Sequence, residues 1–204
     1  QGLSLKNVTF TIENQQGKKL AQEFGEMLFT HFGVSGPIVL STSYKAVDYW
    51  QKQKEPLIGV VDFKPALSAE KLDARFLREI GEQNKKQLKN SLHTLMPAKL
   101  IPVFIRCCGI PGEKELHQIT REERQRMVEM LKNFRFTLTK ARPLEEAIVT
   151  AGGVCVKEVS PKTMESKLVQ NLYFVGEVLD IDGMTGGFNL QAAFSTGYLA
   201  GSAC

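Results

Sequence analysis

The hydrophobic period of this chain changes twice, and that change limits its architecture more than any other feature. From Leu3 to Glu13 the apolar residues Leu3, Leu5, Val8, Phe10 and Ile12 fall near every second position, with one slip that predicts a bulge. Period two buries one face of a strand and leaves the other to solvent. Asn14-Gln-Gln-Gly17 then reads as a hairpin turn, with Lys18 to Phe24 as the returning strand. Leu57 to Phe63 and Phe134 to Thr139 repeat the strand signal. Between them, from Ser68 to about Asn133, apolar residues recur at three-and-four spacing. That pattern predicts an α+β fold: an antiparallel β subdomain with an inserted helical lobe.

Within the lobe, Ser68 is the expected N-cap of a helix over 69–83, with Leu72, Phe76, Leu77 and Ile80 on its inner face. Leu88, Leu92 and Leu95 predict a second helix, ended by Pro97. A third runs over 99–108, tolerates Pro102 in its first turn and stops at Gly109. Thr120-Arg-Glu-Glu123 is a capping box that opens a fourth, with Met127, Met130 and Leu131 inward as core filler.

Two glycine-rich stretches flank this plan. In the first, Gly25 to Gly36 frames Phe29, Thr30, His31 and Phe32, and Pro37 suits either the first turn of a helix or the start of a strand. The histidine at position 31 is a residue type suited to proton transfer, but without a matching acid or second histidine the better reading is a histidine hydrogen-bonded inside the β layer. In the second, Leu172 to Val175 reads as a buried parallel strand that ends at Gly176 and Glu177. A helix follows from near Asn189. Leu190, Ala193, Phe194, Gly197, Tyr198 and Gly201 share one of its faces, so that face is expected to be buried, its small residues allowing close approach to a sheet. Gly186, Gly187 and Asn189 sit where helix N–H groups and the macrodipole favour a phosphate or an electron-rich carbonyl. A tight loop capped by Asn189 explains the same residues.

Composition narrows the class. At 204 residues, 43% hydrophobic and 24% charged, the chain can bury a core. No apolar run approaches the length of a membrane span, and no signal-peptide pattern opens the sequence. Four cysteines without a Cys-x-x-Cys spacing indicate neither zinc nor a redox pair and fit a reducing, cytoplasmic setting. Asp180-Ile-Asp182-Gly183 lacks the Gly and Glu of a calcium loop, so no metal site is expected. The net charge of +4 is modest, and the basic clusters around Lys85 and Arg121 are interleaved with acids and lack aromatic neighbours, which disfavours a nucleic-acid face.

Three motifs carry a resemblance. They are Thr150-Ala-Gly-Gly-Val154, Glu158-Val-Ser-Pro-Lys-Thr-Met-Glu-Ser-Lys167, and Leu172-Tyr-Phe-Val-Gly-Glu-Val-Leu-Asp-Ile-Asp-Gly-Met-Thr-Gly-Gly-Phe-Asn-Leu-Gln191. With Gly25-Glu-Met-Leu-Phe-Thr-His-Phe-Gly-Val-Ser-Gly-Pro37, they resemble the bacterial FAD-binding flavoproteins of the aminoacetone-oxidase-like, BaiN type. The resemblance implies an FAD-dependent oxidoreductase and cofactor contacts at Thr163, Gly176, Glu177, Asp180, Gly186, Gly187, Phe188 and Asn189. It assigns no catalytic residue and no substrate beyond an unspecified small molecule. The Gly-x-Gly-x-x-Gly turn of such proteins is absent here, so the resemblance implies the carboxyl-terminal part of a longer chain whose N-terminal FAD-binding portion is the partner. On that reading residues 1–65 and 134–162 form the β subdomain and 66–133 the helical insertion. Residues 163–204 return, as strand, turn and helix, to a Rossmann-like FAD domain. The competing reading is a non-catalytic protein-interaction module.

Overall fold

The computed structural model describes residues 2–183 and 186–204 and divides into two compact units, Gln1–Lys140 and Ala141–Cys204. The first unit is built on five antiparallel strands: β1 (Leu3–Glu13), β2 (Lys19–Phe29), β3 (Val34–Ser35), β4 (Leu57–Asp62) and β5 (Phe134–Leu138), in the order β3-β2-β1-β4-β5. The most alternating stretch of the sequence thus lies at the centre of the sheet.

The slip in that alternation is a bulge. Leu5 pairs with Met27 but Val8 pairs with Gly25, so β1 carries one extra residue, and Asn7 takes a left-handed φ of 55°. Because side chains alternate, one extra residue reverses parity. Odd-numbered Leu3 and Leu5 and even-numbered Val8, Phe10 and Ile12 are therefore all buried. The Asn14 side chain closes the hairpin by accepting the N–H groups of Gln16 and Lys18.

Pro37 begins a helix. α1 (Pro37–Gln53) packs on β2, with Pro37 in its first turn and Ile38, Thr42 and Ala46 buried. Its N-cap Gly36 has φ +96°, and a Cβ there would lie 2.9 Å from the Met27 Cα, so the strand-to-helix turn requires glycine.

Four more helices form the lobe between β4 and β5. In α2 (Ala69–Glu82) the Ser68 hydroxyl accepts the Lys71 N–H; Leu72 and Phe76 are buried, whereas Leu77 points to solvent. The expected second helix breaks into α3 (Leu88–Ser91) and a 3₁₀ turn over Leu92–Thr94. The Ser91 and Thr94 hydroxyls donate to the carbonyls of Leu88 and Ser91 there. Leu88, Leu92 and Leu95 remain buried all the same. α4 (Ile101–Cys108) ends on Gly109 at φ +65°, and α5 (Arg121–Lys132) opens with both bonds of the Thr120/Glu123 capping box. The Glu123 carboxyl, pulled upward by burial, is held below its usual range by Lys114 at 2.8 Å and the Thr120 N–H.

One apolar core runs through sheet and lobe, joining Phe10, Leu57 and Val61 to Leu72, Phe104 and Leu131. The two ends of the lobe are tied together. Phe63 donates its N–H to the Leu131 carbonyl at 2.8 Å, and the Lys132 ammonium reaches the Asp62 carboxylate at 2.5 Å and the Lys64 and Leu67 carbonyls. Arg124 holds Asp73 with two parallel bonds.

The second unit differs from the sequence expectation in three ways. Leu172 to Val175 is extended but makes only the single bridge Glu165↔Tyr173, and Leu172 and Val175 stay partly exposed. A strand needs a ladder, and the described residues around it supply isolated bridges alone. In α6 (Phe188–Gly201) the face expected to be buried is open: Leu190, Phe194 and Tyr198 are 63%, 71% and 76% exposed. No atom lies within 4 Å of where a Cβ would sit on Gly197 or Gly201. The unit's own core is Val159, Met164, Leu179 and Ala200, with Val154, Tyr173, Phe174 and Leu199 packed against it. The segment 141–162, expected with the β subdomain, lies within this unit.

Candidate functional site

Two loops meet at α6. Gly187, left-handed at φ +87°, is its N-cap and offers no side chain, so Phe188 and Asn189 occupy the first two helical positions. Asn189 does not cap the helix. Its Oδ1 accepts the Gly183 N–H at 2.6 Å and its Nδ2 donates to the Gly183 carbonyl at 3.1 Å, which closes the tight loop considered from the sequence. Met184 and Thr185, inside that loop, lie outside the described residues.

The acidic turn is pinned to the same helix. Gly176 opens a 3₁₀ turn (Gly176–Val178) and donates its N–H to the Thr196 hydroxyl at 3.0 Å, while that hydroxyl donates to the Ala192 carbonyl. Glu177 and Asp180 are both exposed. Thr196, which sets this turn against the middle of α6, was not anticipated, because it lies off the Leu190–Phe194–Tyr198 face.

The Thr150–Val154 glycine motif lies beside this turn. Val154 donates to the Val178 carbonyl at 2.8 Å and Asp180 donates to the Val154 carbonyl at 2.9 Å, a one-pair parallel bridge. A Cβ on Gly153 would stand 2.5 Å from the Val178 oxygen, closer than any real contact. Gly153→Val is therefore expected to break both bonds and release the Val154 and Asp180 amides to hydrogen exchange. Unchanged protection of those two amides would show that the motifs are not joined this way.

Thr163 is tied into its own turn, its hydroxyl accepting the Glu165 N–H, and the bond from Phe174 N–H to the Met164 carbonyl brings that turn alongside Leu172–Phe174. Gly176 is thus held against the middle of α6, with Glu177 and Asp180 in and just after the turn it opens; Gly186, Gly187, Phe188 and Asn189 make the amino end of that helix, and Thr163 sits in a separate turn. In the first unit, the Thr30 hydroxyl accepts the N–H groups of Phe32 and Gly33, and His31 stands exposed at the β2–β3 tip with its ring edge-on to Phe32. It is not a histidine inside the β layer, because the turn that Thr30 caps throws it outward.

Exposed carboxylates can accept hydrogen bonds from a hydroxylated chain, and the N–H groups at the start of a helix can donate to an anion or carbonyl. Among the described residues no group of three or more His, Cys, Asp or Glu side chains could hold a metal, and no helix is long and apolar enough to cross a membrane. All four cysteines are free, and burial with Cys107 alongside pushes the Cys108 thiol up to about 12.

Residues 1–149, which include all five strands and helices α1 to α5, match the HI0933-like protein barrel and H2TH domain. The chain belongs to the HI0933-like family. Its relatives include the ribosomal RNA dihydrouridine synthases of Haemophilus influenzae, 36% identical over 86% of this chain and 41% of that protein, and of Escherichia coli, 35% identical over 84% and 40%. The 3-dehydro-bile acid delta(4,6)-reductase of Clostridium scindens is 33% identical over 90% of this chain and 45% of its own. The chain thus spans less than half the length of these HI0933-like relatives. Family and relatives agree with the BaiN-type resemblance: this is a member of a flavoprotein oxidoreductase family.

Proposed function

We propose that the chain is the carboxyl-terminal part of an FAD-dependent oxidoreductase that reduces a carbon–carbon double bond conjugated to a carbonyl. The exposed apolar face of α6 carries the first half of this reading. A Leu190–Phe194–Tyr198 stripe with bare Gly197 and Gly201 between its large side chains suits close packing against further sheet of an FAD domain.

The names of the relatives support the reaction class. Dihydrouridine is uridine with hydrogen added across the ring double bond next to its carbonyl, and a delta(4,6) double-bond pair in a 3-oxo steroid is conjugated to that carbonyl. A bound flavin supplies the hydride in such reductions. On this reading Glu177 accepts hydrogen bonds from ribityl hydroxyls. The α6 amino end, at Gly186, Gly187 and Asn189, faces the flavin edge or phosphate that carries negative charge, with Phe188 alongside. Asp180 and Thr163 complete the cofactor side. Asn189, held by Gly183, fixes the loop that presents these groups.

The full-length protein is expected to be yellow with a flavin spectrum, and Glu177→Ala is expected to weaken FAD retention about tenfold or more, as loss of a charged hydrogen-bond acceptor does. Flavin titration of the purified variant checks it, with the circular dichroism spectrum unchanged. A colourless full-length protein would instead favour an interaction module using the same exposed stripe.

A further inference from the structure

The 3₁₀ turn Gly176–Val178 is fixed at both ends. On its amino side the Gly176 N–H donates to the Thr196 hydroxyl at 3.0 Å, and on its carboxyl side the Val178 carbonyl accepts the Val154 N–H at 2.8 Å. Inside it, the Leu179 N–H donates back to the Gly176 carbonyl at 3.2 Å. Glu177 lies between these anchors, exposed, and its carboxylate has no hydrogen-bond or ion-pair partner among the described residues. The backbone is held while the acceptor is left open. A group fixed before its ligand arrives gives up less freedom on binding.

Thr196 is the anchor that comes from α6. Its hydroxyl donates its own proton to the Ala192 carbonyl, one turn back, at 2.7 Å. That bond commits the hydrogen and leaves the oxygen's lone pairs for the Gly176 N–H. A threonine that bonds back to its own helix commonly does nothing more. Here the same oxygen also holds a segment 20 positions away in sequence. The surrounding surface suits the turn: Ala192 and Thr196 are half-buried on the side of α6 opposite Leu190, Phe194 and Tyr198, and a Cβ on Gly176, at φ +69°, would lie 3.6 Å from the Ala193 side chain.

We propose that Thr196 is a positioning residue for the cofactor: by holding Gly176 it sets where the Glu177 carboxylate meets the ribityl hydroxyls. The proposal rests on the flavin reading above and extends it to a side chain that does not itself touch the cofactor. A hydroxyl that only stabilised the helix would act on FAD binding independently of Glu177. A positioning hydroxyl acts through it.

The test is a double-mutant cycle on the full-length protein, read as FAD affinity by titration of the apoprotein, with circular dichroism as the check on folding. Thr196→Val is expected to weaken FAD binding about three- to tenfold, the loss of one neutral hydrogen bond. In a Glu177→Ala background the same change is expected to cost less than about twofold, because the group it positions is gone. Thr196→Ser keeps the hydroxyl and is expected to bind FAD as the parent does; Thr196→Ala, which adds no bulk, is expected to repeat the loss should the valine variant fail to fold. Ser195→Ala, which removes the neighbouring exposed hydroxyl, is expected to change nothing. In the 204-residue chain the Gly176 amide is expected to exchange about tenfold faster in Thr196→Val and at the parent rate in Thr196→Ser. Equal losses of FAD affinity with and without Glu177, unchanged Gly176 exchange in Thr196→Val, or a serine variant that binds as poorly as valine would each overturn the proposal. Failure of the parent to bind FAD would overturn the oxidoreductase reading and this role with it, whereas parent-like FAD binding by Thr196→Val and Thr196→Ala would overturn the role alone.

Discussion

Phe104→Ala is expected to destabilise the first unit by about 3 to 5 kcal/mol, the cost of removing a large aromatic side chain from a packed interior. Phe104 is fully buried on α4, in the core that also contains Phe10 and Leu57 of the sheet. Sheet and lobe should therefore fail together. Trp50, the chain's single tryptophan, sits on α1 against that core and reports the sheet side, while far-UV circular dichroism is dominated by the helices. In urea titrations of Phe104→Ala the two signals should move to the same lower midpoint. Leu77→Ala, at a solvent-facing position of α2, should stay within about 0.5 kcal/mol of the parent. A lobe signal that melts well before Trp50 would show that the core is not continuous.

Hydrogen exchange should separate the two units by roughly a thousandfold. Amides of β1, central in its sheet and buried on one face, should exchange only with global unfolding of their unit. Amides of Ala141–Cys204 rest on four buried residues and isolated bridges, and should open locally. In a longer protein with the α6 stripe covered, the Gly176 and Asp180 amides should gain protection. Equal protection of both units in the 204-residue chain would contradict the weakness inferred for the second.

The contrast between the units also marks what the sequence could reveal. Strands β1, β4 and β5 and the capped helices α2 and α5 were legible because alternation, Ser68 and the Thr120/Glu123 box are local signals that the fold obeys locally. Even the bulge was visible as a slip in the pattern. Leu172 to Val175 misled because an apolar run signals burial without saying what does the burying, and the Leu190–Phe194–Tyr198 face misled for the same reason. The Leu88–Leu95 stretch kept its buried leucines, but its helix tightens to a 3₁₀ turn after one α turn, a change that periodicity does not register. In the site, Glu177 and the glycines stood out as types, whereas the Thr196 and Asn189 contacts that assemble them depend on distances no spacing rule supplies.

The clamp at the root of the lobe sets the order in which the first unit can be made. β4 and β5 are neighbours in the sheet, yet 71 residues separate Asp62 from Phe134. Closing so long a loop costs about 2 kcal/mol more in chain entropy than closing the short β1–β2 turn. The Leu131–Phe63 bond and the three contacts of Lys132 meet that cost only once α5 has formed and packed. The helices are thus expected to act as a jig during folding, condensing and bringing the ends of the long loop together before β5 joins the edge of the sheet; pulse-labelled hydrogen exchange that protects β5 ahead of α5 would contradict this order.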